Sequence, residues 1–472
     1  MSPDDVESRL EQLRANDLPT HGGRTLAYVY DSGSSDADAI GRHALAMYAN
    51  SNGLDPTAFP SLLTMERELI HLARDLFHGP GAVGTVTSGG TESILLAVQT
   101  ARDAAGVPDP VMIVPTTIHA AFHKASHYFG VRRVPVDVDP TTQRADPAAM
   151  VRAMDEHAGH VALVAVSAPS YAHGVIDPVQ EVAAAARERG LRLHVDACIG
   201  GWVLPWAEEL GRDVPPWDFR VDGVTSISAD LHKYGYTPKG ASLLLHATAD
   251  LRRAQFFASA DWPGYTMLNS TTQSTKSGGP LAAAWAVVQT IGRDGYRDLV
   301  AQTLKGVDAL VDGIGSIPHL RLATTPDSTL VTVYADESCD VFTISDLMLE
   351  RGWFVQPQMS FGSLPPSLHL TVCAATASAV PELLDALRAA VDQAVSAGPI
   401  VVDAELRAAA AAIDPQTLDD AAFDGLLALA GLGGEGGVTV PDRMAPVNAL
   451  LDVAPAALRE ALLIAFLDRL SR

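Results

Sequence analysis

HVALVAVSAP at 160–169, DPVQEVAAAARERG at 177–190 and LRLHVDA at 191–197 follow one another with only a short polar connection. The first is a continuous apolar run of strand length, the last alternates apolar and polar residues over strand length, and the middle one repeats its apolar residues at helical spacing. A strand, a helix and a second strand in that order form a parallel crossover, with both strands buried on both faces. The same alternation extends upstream through SLLTMERELIHLARDLFHG (61–79), ESILLAVQTARDAA (92–105), VMIVP (111–115), HAAFHKASHYFG (119–130), VRRVPVDV (131–138) and ADPAAMVRAMDEHAG (145–159). Downstream, DGVTSIS (222–228) and ASLLLHA (241–247) add strands. The pattern predicts an α/β fold with a mainly parallel sheet, whose ligands sit beyond the carboxyl ends of its strands.

Beyond this series the organisation changes. Residues 278–314 read as long helices leaving the large domain. HLRLATTPDSTLVTVYA, ISDLMLERGWFVQPQ and SLHLTVC, with a helix near 381–396, read as a smaller α+β domain. The expected division is an N-terminal arm at 1–59, a large domain at 60–300, a small domain at 301–398 and a helical tail at 399–472. GLGGEGG at 431–437 interrupts the tail and reads as a flexible surface loop. The first ~55 residues lack a strong pattern, which suits a segment that wraps another part of the molecule or a second subunit.

The 472 residues include 47% apolar side chains and carry a net charge of −23, from 56 acidic and 33 basic residues. That balance argues against nucleic acid and anionic membrane as general partners. Cys198, Cys339 and Cys373 are isolated and lack zinc spacing, which fits a reducing compartment. The first residues, MSPDDVESRLEQLRAND, have no apolar core of a signal peptide, and no run reaches the ~20 apolar residues of a bilayer span. The expectation is a cytoplasmic protein without a membrane span.

Three local patterns carry chemistry. GTVTSGGTES (84–93) places small residues before a helix start, where N–H groups favour an anion, so Ser88, Gly89, Gly90 and Thr91 can cup a phosphate or simply form a capped turn. LRLHVDACIGGW (191–202) ends an apolar strand in Asp196, which is either a surface turn residue or the partner of a cation such as a protonated pyridine nitrogen. SADLHKYGYTPKG (228–240) holds two of the chain's five lysines, against 28 arginines. An amine can form an imine where a guanidinium cannot, which singles out Lys233, 37 residues after Asp196. An anion site, a nitrogen partner and an imine former together suit pyridoxal phosphate. His119, His123 and His127 recur every four residues, but no H-E-x-x-H pattern accompanies them and no metal is expected.

SADLHKYGYTPKG, GTVTSGGTESILLA, HAAFHKASHYFG, HGVIDPVQEVA and HVDACIGGW resemble the pyridoxal-phosphate-dependent group II decarboxylase superfamily, in particular its sphingosine-1-phosphate lyase branch. The resemblance runs from about residue 28 to 397 and leaves the last ~70 residues uncovered. It implies a type I aminotransferase-like fold and a homodimer with sites at its interface. It also implies that Lys233 carries the cofactor as an imine, Asp196 partners the pyridine nitrogen and His119 stacks on the ring. Gly89, Gly90, Thr91 and His232 would bind the cofactor phosphate, with Ser274 or Thr275 from the partner subunit. Cys198 would lie near the opposite ring face, Tyr30 matches an active-site tyrosine, and Lys239 a lysine associated with the substrate phosphate. Two positions depart from the lyase pattern: NGLDPTAFP puts Asp55 where a histidine is expected, and STKSGG puts Lys276 where an arginine is expected. One unit-charge contact at ~4 Å and an effective dielectric near 20 is worth about 4 kcal/mol before desolvation, so Asp55 bears on substrate class.

The resemblance leaves two reactions: retro-aldol cleavage of a 2-amino-3-hydroxy compound, and α-decarboxylation of an L-amino acid. An aminotransferase would need an arginine for the α-carboxylate, and Arg321, Arg351 and Arg388 have no motif behind them. A non-catalytic scaffold would not need lysine, aspartate and histidine together in motif context.

Overall fold

The apolar runs form the centre of a seven-stranded sheet. In this computed structural model, residues 1–429, 433–434, 437–438 and 441–471 are described. The strands are β1 (Val83–Thr87), β2 (Val111–Pro115), β3 (Arg132–Val136), β4 (Val161–Ser167), β5 (Leu193–Asp196), β6 (Val224–Ala229) and β7 (Ser242–His246). Their spatial order is β1-β7-β6-β5-β4-β2-β3. All strands run parallel except β7, which pairs antiparallel with both β6 and β1. Every residue of β2, β4, β5 and β7 is buried: the apolar or small composition of β2 and β4 demands it, whereas β5 and β7 also bury His194, Asp196 and His246. The edge strand β3, RRVPV, is partly exposed and carries two arginines and a proline, which blunt its free edge.

Seven helices accompany the first part of the chain: α1 (Pro3–Arg14), α2 (Ser35–Met47), α3 (Pro60–Leu76), α4 (Gly90–Ala105), α5 (Ala121–Phe129), α6 (Pro147–Glu156) and α7 (Val179–Glu188). The long helical segment Gly278–Ile314 is two helices meeting at Gly292, whose φ of 63° breaks the run. The register aligns Ser167, Asp196 and Ser228 at one end of the sheet, so the loops after β4, β5 and β6 leave side by side. The connection from β1 into α4 opens at the same end.

The chain divides into two compact units, the first containing the seven-stranded sheet and the second made of 312–323, 333–370 and 381–472. A hairpin in the first unit, β8 (Phe257–Ser259) with β9 (Met267–Asn269), carries exposed Phe257, Tyr265 and Leu268. A four-stranded sheet has the order β10-β11-β13-β12, from Leu320–Leu322, Leu330–Ala335, Gln356–Gln358 and Ser367–Thr371 as β10 to β13. In the tail, Phe423 and Leu427 are buried against Leu418, Val447, Leu462, Ala465 and Phe466. The buried Asp346 carboxylate accepts the N–H groups of Met444 and Ala445 at 3.1 and 2.8 Å. Of the glycine-rich stretch expected as a surface loop, 431, 432, 435 and 436 lie outside the described residues, while Gly433–Gly434 pairs antiparallel with Gly437–Val438. Among the described residues no helix is long and apolar enough to cross a membrane.

Candidate active site

β5 ends in Asp196, and the polar residues around it are all buried. Oδ1 of Asp196 accepts the Cys198 N–H at 3.1 Å and the Ser228 hydroxyl at 3.3 Å. Behind it, the His194 ring contacts Ser226 Oγ at 2.9 Å and Ser228 Oγ at 3.1 Å. Burial pushes His194 down to about 4, so the ring is neutral and donates from only one nitrogen. Bonds from two elements thus hold one edge of the Asp196 carboxylate at the end of the strand.

β6 leads directly into Asp230, His232 and Lys233. The Lys233 amine lies 2.9 Å from Asp230 Oδ2, with side chains 18% and 2% exposed. His232 Nε2 stands 3.6 Å from the same oxygen. Burial works to raise the Asp230 carboxyl, but the Lys233 charge and then His232 outweigh it and hold it low. Burial works to lower the Lys233 ammonium, yet Asp230 and weaker neighbours keep it well above its ordinary value. The turn after the lysine closes tightly, since a Cβ on Gly235 would stand 2.4 Å from the Leu231 carbonyl oxygen.

The third wall is the start of α4. A Cβ on Gly90 would fall 2.7 and 2.8 Å from the Asp230 carboxylate oxygens and 2.8 Å from Cys198 Sγ. Only glycine allows this backbone to come so near the lysine corner. Glu92, in the first turn, accepts the Ser88 N–H at 2.6 Å and the Thr272 N–H at 2.9 Å, together with the Thr272 hydroxyl. Burial opposes its ionisation, but the Ser88 and Thr272 bonds prevail and hold the carboxyl low.

These walls enclose a cavity of about 360 Å³ lined by Ser88, Gly89, Gly90, Thr91, His119, Asp196, Cys198, His232 and Lys233, nine of the residues singled out in the sequence. His119 precedes α5 rather than starting it, so only His123 and His127 lie on the helix. Its Nδ1 accepts the Ala121 N–H at 3.1 Å, and burial lowers its pKa. The ring meets Tyr171 edge-on, with centroids 6.4 Å apart. His123 Nε2 is engaged by Arg133 at 2.9 Å, and among the described residues no group of three or more side chains can hold a metal ion.

Tyr30 and Lys239 stand beside the lysine corner. The Tyr30 hydroxyl is pushed up to about 12 by burial, with Lys233 acting in the opposite direction. The Lys239 amine lies 4.9 Å from the Tyr30 ring centroid and donates to the carbonyls of Tyr28 and His232 at 2.8 and 3.3 Å. The residue is exposed as a whole, yet desolvation of its amine by the surrounding groups, followed by Lys233, brings it down to about 8.

Ser274, Thr275, Lys276 and Asp55 do not line the cavity. Ser274 is half-buried and Thr275 exposed. The Lys276 amine pairs with Glu66 Oε1 at 2.8 Å. Asp55 is exposed and accepts the Thr57 N–H and hydroxyl at 2.8 and 2.6 Å; the hydroxyl bond chiefly holds its carboxyl low. The two segments are joined, since the Gly53 N–H donates to the Lys276 carbonyl at 2.7 Å and Asn52 bridges Ser277.

Sequence reasoning did not assign Asp230, Glu92 and Tyr171 to the site. Asp230 is three residues before the lysine at a strand's carboxyl end, and Glu92 occupies the third position of a helix start where an acidic cap is common. Tyr171 follows β4 at the same end of the sheet. All three positions carry a signal of place, though none of residue type.

The donor set fits pyridoxal phosphate: a glycine cradle that a Cβ would fill, a strand-end carboxylate held on one oxygen, and a lysine amine lining the same cavity. Comparison with known proteins agrees. Residues 20–334 match the pyridoxal-dependent decarboxylase conserved domain, and 404–469 match a pyridoxal-dependent enzyme C-terminal putative HTH domain. A sphingosine-1-phosphate lyase of Dictyostelium discoideum is 37% identical over 72% of this chain, and one of Oryza sativa subsp. japonica is 36% identical over 84%. The chain spans 63% of the first relative's length and 74% of the second's. The solved sphingosine-1-phosphate lyase of Burkholderia pseudomallei superposes with a TM-score of 0.79 at 33% identity, covering 84% of this chain and 92% of that one. A Lactobacillus brevis glutamate decarboxylase, with TM-score 0.73 and 19% identity over 85% of this chain and 94% of its own, shares the fold. With the cavity and these matches together, the chain belongs to the pyridoxal-dependent decarboxylase family, with pyridoxal phosphate as its cofactor.

Proposed function

We propose that this protein is a carbon–carbon lyase that cleaves a 2-amino-3-hydroxy compound into an aldehyde and an amine. The observation that carries this reading is the cavity in which Lys233, Asp196 and His119 meet the glycine cradle, in a chain similar to sphingosine-1-phosphate lyases. Bound pyridoxal phosphate supplies an aldehyde that condenses with amines and a ring that takes up the electrons of the breaking bond. Asp196 would hold the ring through its pyridine nitrogen, and His119 and Cys198 would flank it. Gly89, Gly90, Thr91 and His232 hold the phosphate. Lys233 anchors the cofactor and later holds a proton at its amine. Tyr30, high at about 12, keeps its proton and can donate it, whereas Lys239, near 8, exchanges a proton close to neutral pH.

The working unit in this reading is a cytoplasmic homodimer. Phe257, Tyr265 and Leu268 are each more than half exposed on the β8–β9 hairpin, which adjoins the segment carrying Ser274 and Thr275. Those two residues would reach the partner's cofactor phosphate. Asp55 and Lys276, tied together by the Gly53–Lys276 bond, would approach the partner's substrate as one piece. The ionised Asp55 disfavours a phosphate there, which points to a substrate changed from the phospho-sphingoid class. Nucleic acid is no partner in this reading: 404–469 holds ten acidic and four basic residues, the wrong balance for a phosphate backbone.

The second reading, α-decarboxylation of an L-amino acid, rests on the family domain. Arg321, Arg351 and Arg388 are engaged within their own unit, over Tyr334, on Leu347 and Gln393, and on Asp385, so they lend no support to an aminotransferase. Purified protein with pyridoxal phosphate is offered phosphorylated and unphosphorylated 2-amino-3-hydroxy compounds and L-amino acids. Trapped aldehyde without CO2 is the expected result, and CO2 without aldehyde overturns it. Light scattering should give twice the chain's 49.7 kDa.

A further inference from the structure

The Lys233 amine has one close charged contact, Asp230 at 2.9 Å. That carboxylate is held in place by the fold. It follows β6 without an intervening residue, its N–H donates to the Cys198 carbonyl at 3.3 Å, and Gly90 packs against it with no room for a Cβ. The other groups around the lysine offer no competing contact. Tyr30 and Cys198 are both pushed up by burial, so neither offers a negative charge near neutral pH. Asp196 also acts on the lysine, but Cys198 and Ser228 engage its Oδ1. Burial lowers His119 and His232, favouring their neutral forms, and raises Tyr171, so none of the three offers a negative charge. Lys239 adds only repulsion. Asp230 is thus the anion in contact with the amine, in a setting that screens the pair little.

We propose that Asp230 is a positioning residue, which receives the Lys233 amine as an ammonium ion whenever the lysine is not bound to an aldehyde. It thereby fixes the pH above which the unloaded protein captures pyridoxal phosphate. The inference rests on Lys233 being the capturing residue and adds the group that controls it. Capture needs the neutral amine. The ammonium gives one proton to solvent, the nitrogen lone pair bonds to the aldehyde carbon, and the carbonyl oxygen leaves as water, so that C=N replaces C=O. Removing the Asp230 charge leaves burial as the main influence on the amine, and burial favours the neutral form. Loss of this residue therefore speeds capture at low pH, the opposite of damage to the site.

The test strips the protein of cofactor and adds pyridoxal phosphate from about pH 6 to about pH 9, a range reaching toward the amine's ordinary titration. Capture is quenched with borohydride, and the label on Lys233 is counted by peptide mass spectrometry. Asp230→Asn and Asp230→Ser should move the rate profile down by at least about one pH unit, or about tenfold faster capture on its acid side. Asp230→Glu, which keeps the charge, should stay near the unaltered profile. Asn and Ser profiles that coincide with the unaltered one, or lie above it, overturn the proposal. Absence of label at Lys233 in the unaltered protein instead overturns the assignment of the capturing lysine. Circular dichroism of each variant separates a folded protein from a collapsed one, and the smaller Ser side chain gives a second chance to fold.

Discussion

Lys233 with Asp230 and Lys276 with Glu66 are ion pairs of almost equal length, 2.9 and 2.8 Å, within the same unit. Their surroundings differ. Asp230 is 2% exposed and borders the cavity, where Asp196, Cys198 and His119 also meet. Glu66 is 21% exposed and divides itself, accepting the Val86 N–H at 2.7 Å as well as the Lys276 amine. The second pair fastens α3 to β1 and to the segment before Gly278, whereas the first sets the state of a reactive amine. A distance near 3 Å therefore says little about purpose; burial and the number of donors sharing a carboxylate separate the two.

The comparison breaks most sharply under alanine substitution. Lys233→Ala should lower turnover by about a thousandfold or more, the scale of losing a covalent nucleophile, and abolish borohydride-fixed cofactor. Lys276→Ala should leave fixation at Lys233 intact, and equal loss in both would erase the distinction. Next in size, Asp196→Asn should reduce turnover by about a hundredfold, since a unit-charge contact at ~4 Å and an effective dielectric near 20 is worth about 4 kcal/mol before desolvation. Fixed cofactor should remain, visible by mass spectrometry.

Glu66→Gln probes the fastening pair. It should cost about 1–2 kcal/mol of stability in urea unfolding, because the Lys276 charge loses its partner while the Val86 N–H keeps a weaker acceptor. A larger loss of turnover than of stability would place this pair in the chemistry. Asp55→His should tighten binding of a phosphorylated amino alcohol by about tenfold through removal of one repulsive charge, read by calorimetry. Unchanged affinity would mean that this segment does not face the substrate.

Stability against pH probes the buried relay behind Asp196. His194 is held near 4, below its unfolded value of about 6.5, so the unfolded chain binds a proton that the native one refuses. Its contribution is complete above pH ~6.5 and is lost as pH falls toward about 4, with a slope of at most about 1.4 kcal/mol per pH unit. His173, also near 4, acts in the same direction, while Asp177, raised to about 6 by burial, acts in the opposite one between about 3.8 and about 6. Urea midpoints between pH ~4 and ~6.5 should flatten when His194 is replaced by Gln.

The alternation of apolar runs and amphipathic segments was readable without coordinates, because strand burial on both faces leaves a continuous apolar string. Gly89, Gly90, Asp196 and Lys233 were equally legible: each sits at a strand or helix end, where local chemistry dictates residue type. The pairing of charges was not. Glu92 reaches Thr272 across 180 positions and Lys276 reaches Glu66 across 210, and neither sequence neighbourhood hints at the other. Asp230 stood in plain view beside Lys233, yet its role emerged only once burial at 2% and the crowding by Gly90 were known. Periodicity and caps are set by neighbours along the chain, so they survive as sequence pattern. Which carboxylate neutralises which amine depends on atoms brought within about 3 Å by folding and on how much water folding removes, and those are properties of the assembled molecule.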